Sequence, residues 1–427
     1  MSVTAPPRPP RQDRSNEPLD REEIEALVEA LIEEARRETR RRHRRYWAVA
    51  ALVTFVGVIV LTLLEGGAAS QSASPAVSAR IGAGGPVGTS RIAYLRGSWS
   101  PFNGSTSPNL LELDIINADG SGLRRLARDS GAAPEWSPDG RKLVFGKRPK
   151  RSGAACRPAG RCADEIYVIN ADGTGLRRLT RNAASDGEPV WSPDGRRIAF
   201  IRDRDRHTAN IYVMNADGSG QRRLTPTLHR QTGGWVELRW SPDWTKIAFV
   251  DSAGHLGVPD IFVMNADGSG LRNVTNTATT SFGSAWSPDG RRIAYLDYEG
   301  LRGASAPLYV VNADGTGKQR LTGPVMVDLG PPSWSPDGRT LAFTGRGGDI
   351  YTVRADGTGL RKLTRGPGWD VGADWSPDGR RILFMSDRDD PGDSIDLYVM
   401  NADGSGQRNL THTPGVSELF PSWAPAG

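Results

Sequence analysis

From residue 91 to residue 427, apolar residues come in short runs, each bounded by Gly, Pro, Asn or Asp. One unit contains EPVW, RRIAFI, NIYVM and QRRLT, spread over residues 188–225. The runs are rich in β-branched and aromatic side chains and too short for helices, so each predicts a strand. The unit recurs with a period of about 40–55 residues. We letter its strands A, B, C and D. SPDG or its variant SPDW joins A to B, and NADGSG, NADGTG or RADGTG joins C to D. Pro at the second turn position with Asp-Gly after it is the chemistry of a tight turn. Antiparallel strands alternate their ends, so the A–B and C–D turns share one face and the variable B–C and D–A loops share the other.

Residues before 91 follow other patterns. Residues 1–19 are Pro-rich and polar, which predicts a disordered tail. Asp20-x-x-Glu23 caps an expected amphipathic basic helix over 20–45, with Ile24, Leu27, Val28, Leu31 and Ile32 on one face. Residues 46–64 carry no charge and are long enough, at about 1.5 Å per residue, to cross a bilayer core. Seven arginines between Arg36 and Arg45 precede that run, so the expected topology is single-pass with the N-terminus cytoplasmic and the rest extracytoplasmic. Such a span would place the protein in a cell membrane. A cleaved signal peptide is the rival reading. Residues 65–90 read as a flexible linker.

Counting strands gives the expected architecture. B–C–D triplets begin at Ile92, Leu143, Ile198, Ile247, Ile293, Leu341 and Ile382. A strands end at Trp136, Trp191, Trp240, Trp286, Trp334, Trp375 and Trp423. The chain therefore enters at a B strand and finishes on a spare A strand. We expect an all-β fold over 91–427, a seven-bladed β-propeller of four-stranded antiparallel blades closed by the C-terminal strand. A six-bladed ring with one divergent blade is the alternative.

WSPDGRRIAF followed by IYVMNADGSGQRRLT resembles the WD40-like repeat of the TolB-type β-propeller family, and the resemblance recurs across residues 91–427. It implies an extracytoplasmic binding propeller, a fold that family members sometimes attach to a peptidase domain. In the Tol–Pal members an α/β domain precedes the propeller, where this chain has the expected membrane segment.

Candidate chemistry is sparse. NADGSG has the spacing of the start of a calcium loop but lacks the closing Glu, so a hairpin turn is the simpler expectation. The net charge of +5 is small, and acids interleave with the arginines, which argues against nucleic acid. Those arginines recur on B and D strands, where a structural role is expected. Cys156 and Cys162, in CRPAGRC, are candidates for a local disulfide. No catalytic motif is present and no cofactor is expected. Asp203, Asp205, Asp387 and Asp389 are weak metal or acid candidates.

The strongest positional argument concerns the mouth of the channel. Five residues before each A-strand Trp stand Gly131, Asp186, Trp235, Ser281, Leu329, Asp370 and Glu418, with Trp369, Glu188 and Glu237 close by. Asp186, Glu188, Trp235, Glu237, Trp369, Asp370 and Glu418 are thus candidates for a funnel that captures a cationic segment or stacks a sugar ring. The expected function is a membrane-anchored binding scaffold for a protein, peptide or cell-envelope glycan. The alternatives are a propeller lyase or hydrolase with an acidic, metal-containing channel, and a transmembrane sensor in which residues 20–45 meet a cytoplasmic partner.

Overall fold

The computed structural model describes residues 90–97, 111–131, 133–148, 164–203, 208–226, 228–229, 237–252, 258–298, 306–323, 330–345, 347–366, 368–391 and 394–425. The expected tail, helix and span, the linker up to residue 89, and Trp235, Asp205, Cys156 and Cys162 lie outside the described residues. Every regular element that is described is a strand, and none of it is a helix long and apolar enough to cross a membrane.

The repeated turns explain the repeated motifs. In SPDG, the Gly140 amide donates to the Ser137 carbonyl at 2.8 Å, while Asp139 Oδ1 accepts from Ser137 Oγ at 2.6 Å and the Arg141 amide at 3.1 Å. The Gly stands at φ +62°, a left-handed backbone that favours glycine. In NADGSG, Asp119 Oδ1 accepts from the Ser121 amide and hydroxyl at 2.9 and 2.6 Å, and Asn117 donates to Ser121 Oγ at 3.0 Å. These Asp carboxylates are consumed inside the turn, and their hydrogen bonds to Ser121 lower the pKa of Asp119. The Thr that follows the D strand after a Leu or Val has its own reason: Thr180 Oγ1 accepts from the Ile166 amide and Thr275 Oγ1 from the Ile261 amide, each at 3.0 Å.

Strand register fixes the two faces. Arg91 pairs with Asn117, Ile92 with Trp423, and Ile115 with Arg124. The ends of A and C and the starts of B and D therefore lie together, on the side of the SPDG and NADG turns. Ser90 sits there too, its carbonyl accepting from the Ala118 amide at 2.8 Å.

The described strands form six antiparallel sheets: four of four strands, one of five and one of eight. The eight-stranded sheet is two A–B–C–D groups joined at a single pairing, Ser130 with Lys147. Its outer member is Ser417–Trp423, which pairs antiparallel with Arg91–Gly97. The last strand of the chain thus serves as the A strand of the first group.

Sheet faces pack group against group. Buried Leu143 and Phe145 meet Ala93, Leu95 and Leu113 of the preceding group. Leu383, Leu397 and Val399 of the last group meet Ile92, Tyr94 and Trp423 of the first. The arginines add polar links along the same seams. Arg124 donates to the Asp172 carbonyl of the next group at 3.3 Å, Arg272 to that of Asp314 at 2.8 Å, and Arg408 of the last group to that of Asp119 in the first at 3.0 Å. B-strand arginines stack on the next A-strand indole, with Arg91 5.0 Å from the Trp136 ring and Arg381 5.4 Å from that of Trp423.

Candidate functional site

Successive A strands touch one another in a closed circuit, from Ser417–Trp423 through Glu135–Trp136 and onward to Asp370–Trp375, around a central channel. The A-strand tryptophans tie this circuit together. Trp136 donates its indole N–H to the Ser422 carbonyl at 3.2 Å, Trp334 to that of Ala285 at 3.1 Å, and Trp423 to that of Asp374 at 3.2 Å. Each bond ends on the residue just before the Trp of the preceding group.

That position carries the channel's chemistry. Its side chains include Glu135, Arg239, Ser333, Asp374 and Ser422. Arg239 comes from one group yet interacts electrostatically with Glu135, Glu237 and Asp374, which belong to three different A strands, its own included. Glu188 lies within electrostatic reach of Glu135. Glu237 accepts the amides of Gly283 and Ser284 from the next group at 3.0 and 2.8 Å. Asp374 accepts from Ser333 Oγ at 2.9 Å. Ser284 Oγ is buried and has no hydrogen-bond partner among the described residues.

Glu135, Glu237 and Asp374 are half-buried. Burial pushes the Glu135 carboxyl up to about 7 against the partial relief of Arg239, and Asp374 up to about 6 despite its bond from Ser333. Burial also raises Glu237, with Arg239 and the two amides opposing. Carboxyls gathered from several A strands near one guanidinium are suited to receive cationic groups.

The A strands are bulged. Pairing jumps between Gly187 and Val190, between Phe282 and Ala285, and between Val371 and Asp374, with two residues opposite one. Gly283 and Gly372 take the left-handed conformation at the bulge, and so does Glu188, at φ +48°. A non-glycine residue pays for that backbone.

The residues five before each Trp lie beyond the bulge. There the structure places Asp186, Ser281 and Glu418 at 0 % exposure and Asp370 at 1 %. Asp186 is held by Arg202 through both oxygens, at 2.7 and 2.8 Å. Asp370 accepts from Arg388 at 2.7 Å and Ser386 at 2.6 Å. Glu418 accepts from Thr411 at 3.1 Å and from Thr413, and burial pushes its carboxyl up to about 8. These acids occupy separate networks: those of Asp186 and Asp370 draw on their own B strands, whereas Glu418, on the A strand of the first group, is held by Thr411 and Thr413 of the last. Among the described residues, Glu188 and Glu237 are the sequence candidates that join the channel cluster. Trp369 packs on the hydrophobic cluster between the last and first groups, and its amide donates to buried Asp387 at 2.5 Å. Asp389 is exposed and accepts from Asn409 at 2.8 Å, and Asp203 is half-buried. Among the described residues no group of three His, Cys, Asp or Glu is arranged to hold a metal. Sequence reasoning missed Glu135, Arg239 and Asp374. Their signal was the residue directly before each conserved-pattern Trp.

Residues 127–255 and 243–427 match the family model described as the TolB beta propeller domain. The Tol-Pal system protein TolB of Alcanivorax borkumensis is 30% identical over 99 residues, covering 23% of this chain and 20% of that protein. An uncharacterized peptidase of Bacillus subtilis, YuxL, is 25% identical over 211 residues, covering 49% of this chain and 29% of the peptidase. The matches therefore span a fifth to a third of these relatives' own length. Among solved structures, TolB from Acinetobacter baumannii superposes with a TM-score of 0.50 at 20% identity over 79% of this chain and 67% of that one. An oligogalacturonate lyase in complex with manganese reaches 0.52 at 17% identity, over 68% and 82% of the two chains. A puromycin-hydrolyzing peptidase from Mycobacterium tuberculosis reaches 0.54 at 14% identity, over 76% and 53%. At these identities the likeness is one of fold.

Proposed function

Because the chain belongs to the TolB beta propeller domain family, we propose that it is a seven-bladed binding propeller, held outside the cytoplasm by one membrane span, whose channel takes a cationic segment of a protein or peptide. Support for seven blades comes from the seven A-strand tryptophans and from hydrophobic clusters that link each group to the next and the last to the first. The uncharged run 46–64 behind its arginines supports the anchor. The observation that carries the binding reading is the channel cluster itself. Glu135, Glu237 and Asp374 share a single arginine, Arg239, and Glu188 lies near Glu135, so an added lysine or arginine side chain would meet an excess of carboxyls.

A lysine-rich fluorescent peptide titrated into the full-length chain in nanodiscs tests the reading. Glu135→Gln with Glu237→Gln should weaken binding at least about tenfold, the scale of one lost charge-assisted contact. Since cation binding needs ionised carboxylates and Glu135 titrates at about 7, affinity should also rise between pH 5.5 and 8. Equal affinity of variant and parent at pH 8 would remove the channel from the proposal.

A further inference from the structure

Five large apolar side chains stand out among the described residues by their exposure: Leu123 at 53%, Leu176 at 48%, Leu271 at 46%, and Leu360 and Trp244 at 44%. All five lie on the face of the repeated turns. Each leucine directly follows an NADGSG, NADGTG or RADGTG turn, and Trp244 lies inside the SPDW turn.

The fold does not ask for them. At the leucine position two other repeats have Gln221 and Gln407, which donate to the Leu179 and Leu363 carbonyls of the neighbouring group at 3.3 Å. Leucine forgoes that bond and exposes apolar surface instead. Trp244 takes the place of the turn glycine and holds φ +59°, where Gly195, Gly290 and Gly379 all hold +68°. A left-handed backbone is unfavourable for a residue with a Cβ. Side chains kept at a cost to the free domain, all on one face, point to a surface that covers them.

The chain's course says which surface. Ser90 and the start of Arg91–Gly97 are on this same face, so residues 66–89, the expected tether, leave from it. A flexible segment of that length has an end-to-end distance of about 25–30 Å. The face is thus confined near the expected span. Its exposed charges are mixed, with Arg141, Arg196, Arg291 and Arg339 among the turn aspartates, so no single-sign field opposes a zwitterionic headgroup layer. Leucine and tryptophan are the residues that settle at such an interface.

We propose that the repeated-turn face is a membrane-contact surface, with Trp244 and the four leucines entering the headgroup region of a phospholipid bilayer. The variable-loop face then points away from the bilayer. The inference rests on the anchor in the preceding section and adds an orientation to it.

The test uses the full chain reconstituted in phosphatidylcholine vesicles whose acyl chains are brominated near the interface. Bromine quenches tryptophan at short range, and Trp47 is common to all variants. Parent protein should be quenched more than Trp244→Gly, a substitution that restores the turn residue of the other repeats. Exchanging the four leucines for Gln, the residue two repeats already use, should abolish that difference. A chain that floats with the vesicles yet shows identical quenching in parent and Trp244→Gly would overturn the proposal. So would Trp244 shielded from aqueous acrylamide but not quenched by bromine, which would assign the face to a second copy or another protein. A chain that fails to float would overturn the anchor and this inference together.

Discussion

At the scale of single residues, the acids divide by whether a cation is built in beside them. Asp186 is fully buried, and Arg202 neutralises it through two hydrogen bonds. Arg202→Ala would strand that carboxylate, so it should cost about 3 kcal/mol, read as a lower urea midpoint. Asp186→Asn with Arg202→Met should recover much of the loss, since the buried charge goes with its partner. An unchanged midpoint in the single variant would mean that the pair contributes nothing. Glu135 is the opposite case, an acid raised from its ordinary 4.5 to about 7 chiefly by burial. Below the ordinary value both folded and unfolded chains hold the proton, and no penalty exists. As pH rises the unfolded chain ionises first, and stability is lost up to and through the folded value. Melting followed by circular dichroism should therefore fall between pH 5 and 7.5. Glu135→Gln should flatten that fall and raise the melting temperature at pH 7.5 by about 1–3 °C. Counting five residues back from each Trp identified Asp186, Asp370 and Glu418, but a bulge lies between that position and the Trp. Nothing in the local residues announces that bulge except Gly283 and Gly372.

At the scale of elements, the turn chemistry made the strands legible. SPDG and NADG each satisfy their own polar groups, so they specify hairpins wherever they occur. The recurrent arginines were harder to read. Charge on an edge strand explains some of their presence, yet Arg124, Arg272 and Arg408 reach into the next group, a relation with no local trace in the sequence. The final strand was legible only by counting. Its motif has drifted, while Trp423 retains the indole bond to Asp374. Removing residues 417–427 would unpair the edge of Arg91–Gly97 and bare the cluster around Ile92 and Tyr94. We expect that truncation to lower the calorimetric melting temperature by more than about 10 °C, and Trp423→Ala alone to cost about 3 kcal/mol. A truncated chain melting like the parent would show that the strand is dispensable.

At the scale of the whole molecule, closure turns local repetition into a site. Glu135, Arg239 and Asp374 are some hundred residues or more apart in sequence, and each looks like an ordinary polar residue beside a Trp. They meet because every A strand returns to the same axis, and only there does desolvation raise their carboxyls. The two faces likewise acquire different meanings once the register places Ser90, the repeated turns and the exposed leucines at one end. What the sequence determined by itself was what near neighbours govern, the strands, their turns, the β class and the family, and, through the count of those strands alone, the completion of the first sheet by the last strand. Hydrophobic period and turn hydrogen bonds act over a few residues, so they are written locally. The tertiary structure alone decided which acids are paired inside the sheets and which share the channel. Burial and electrostatic coupling depend on groups brought together from distant repeats, and no local window of the chain contains them.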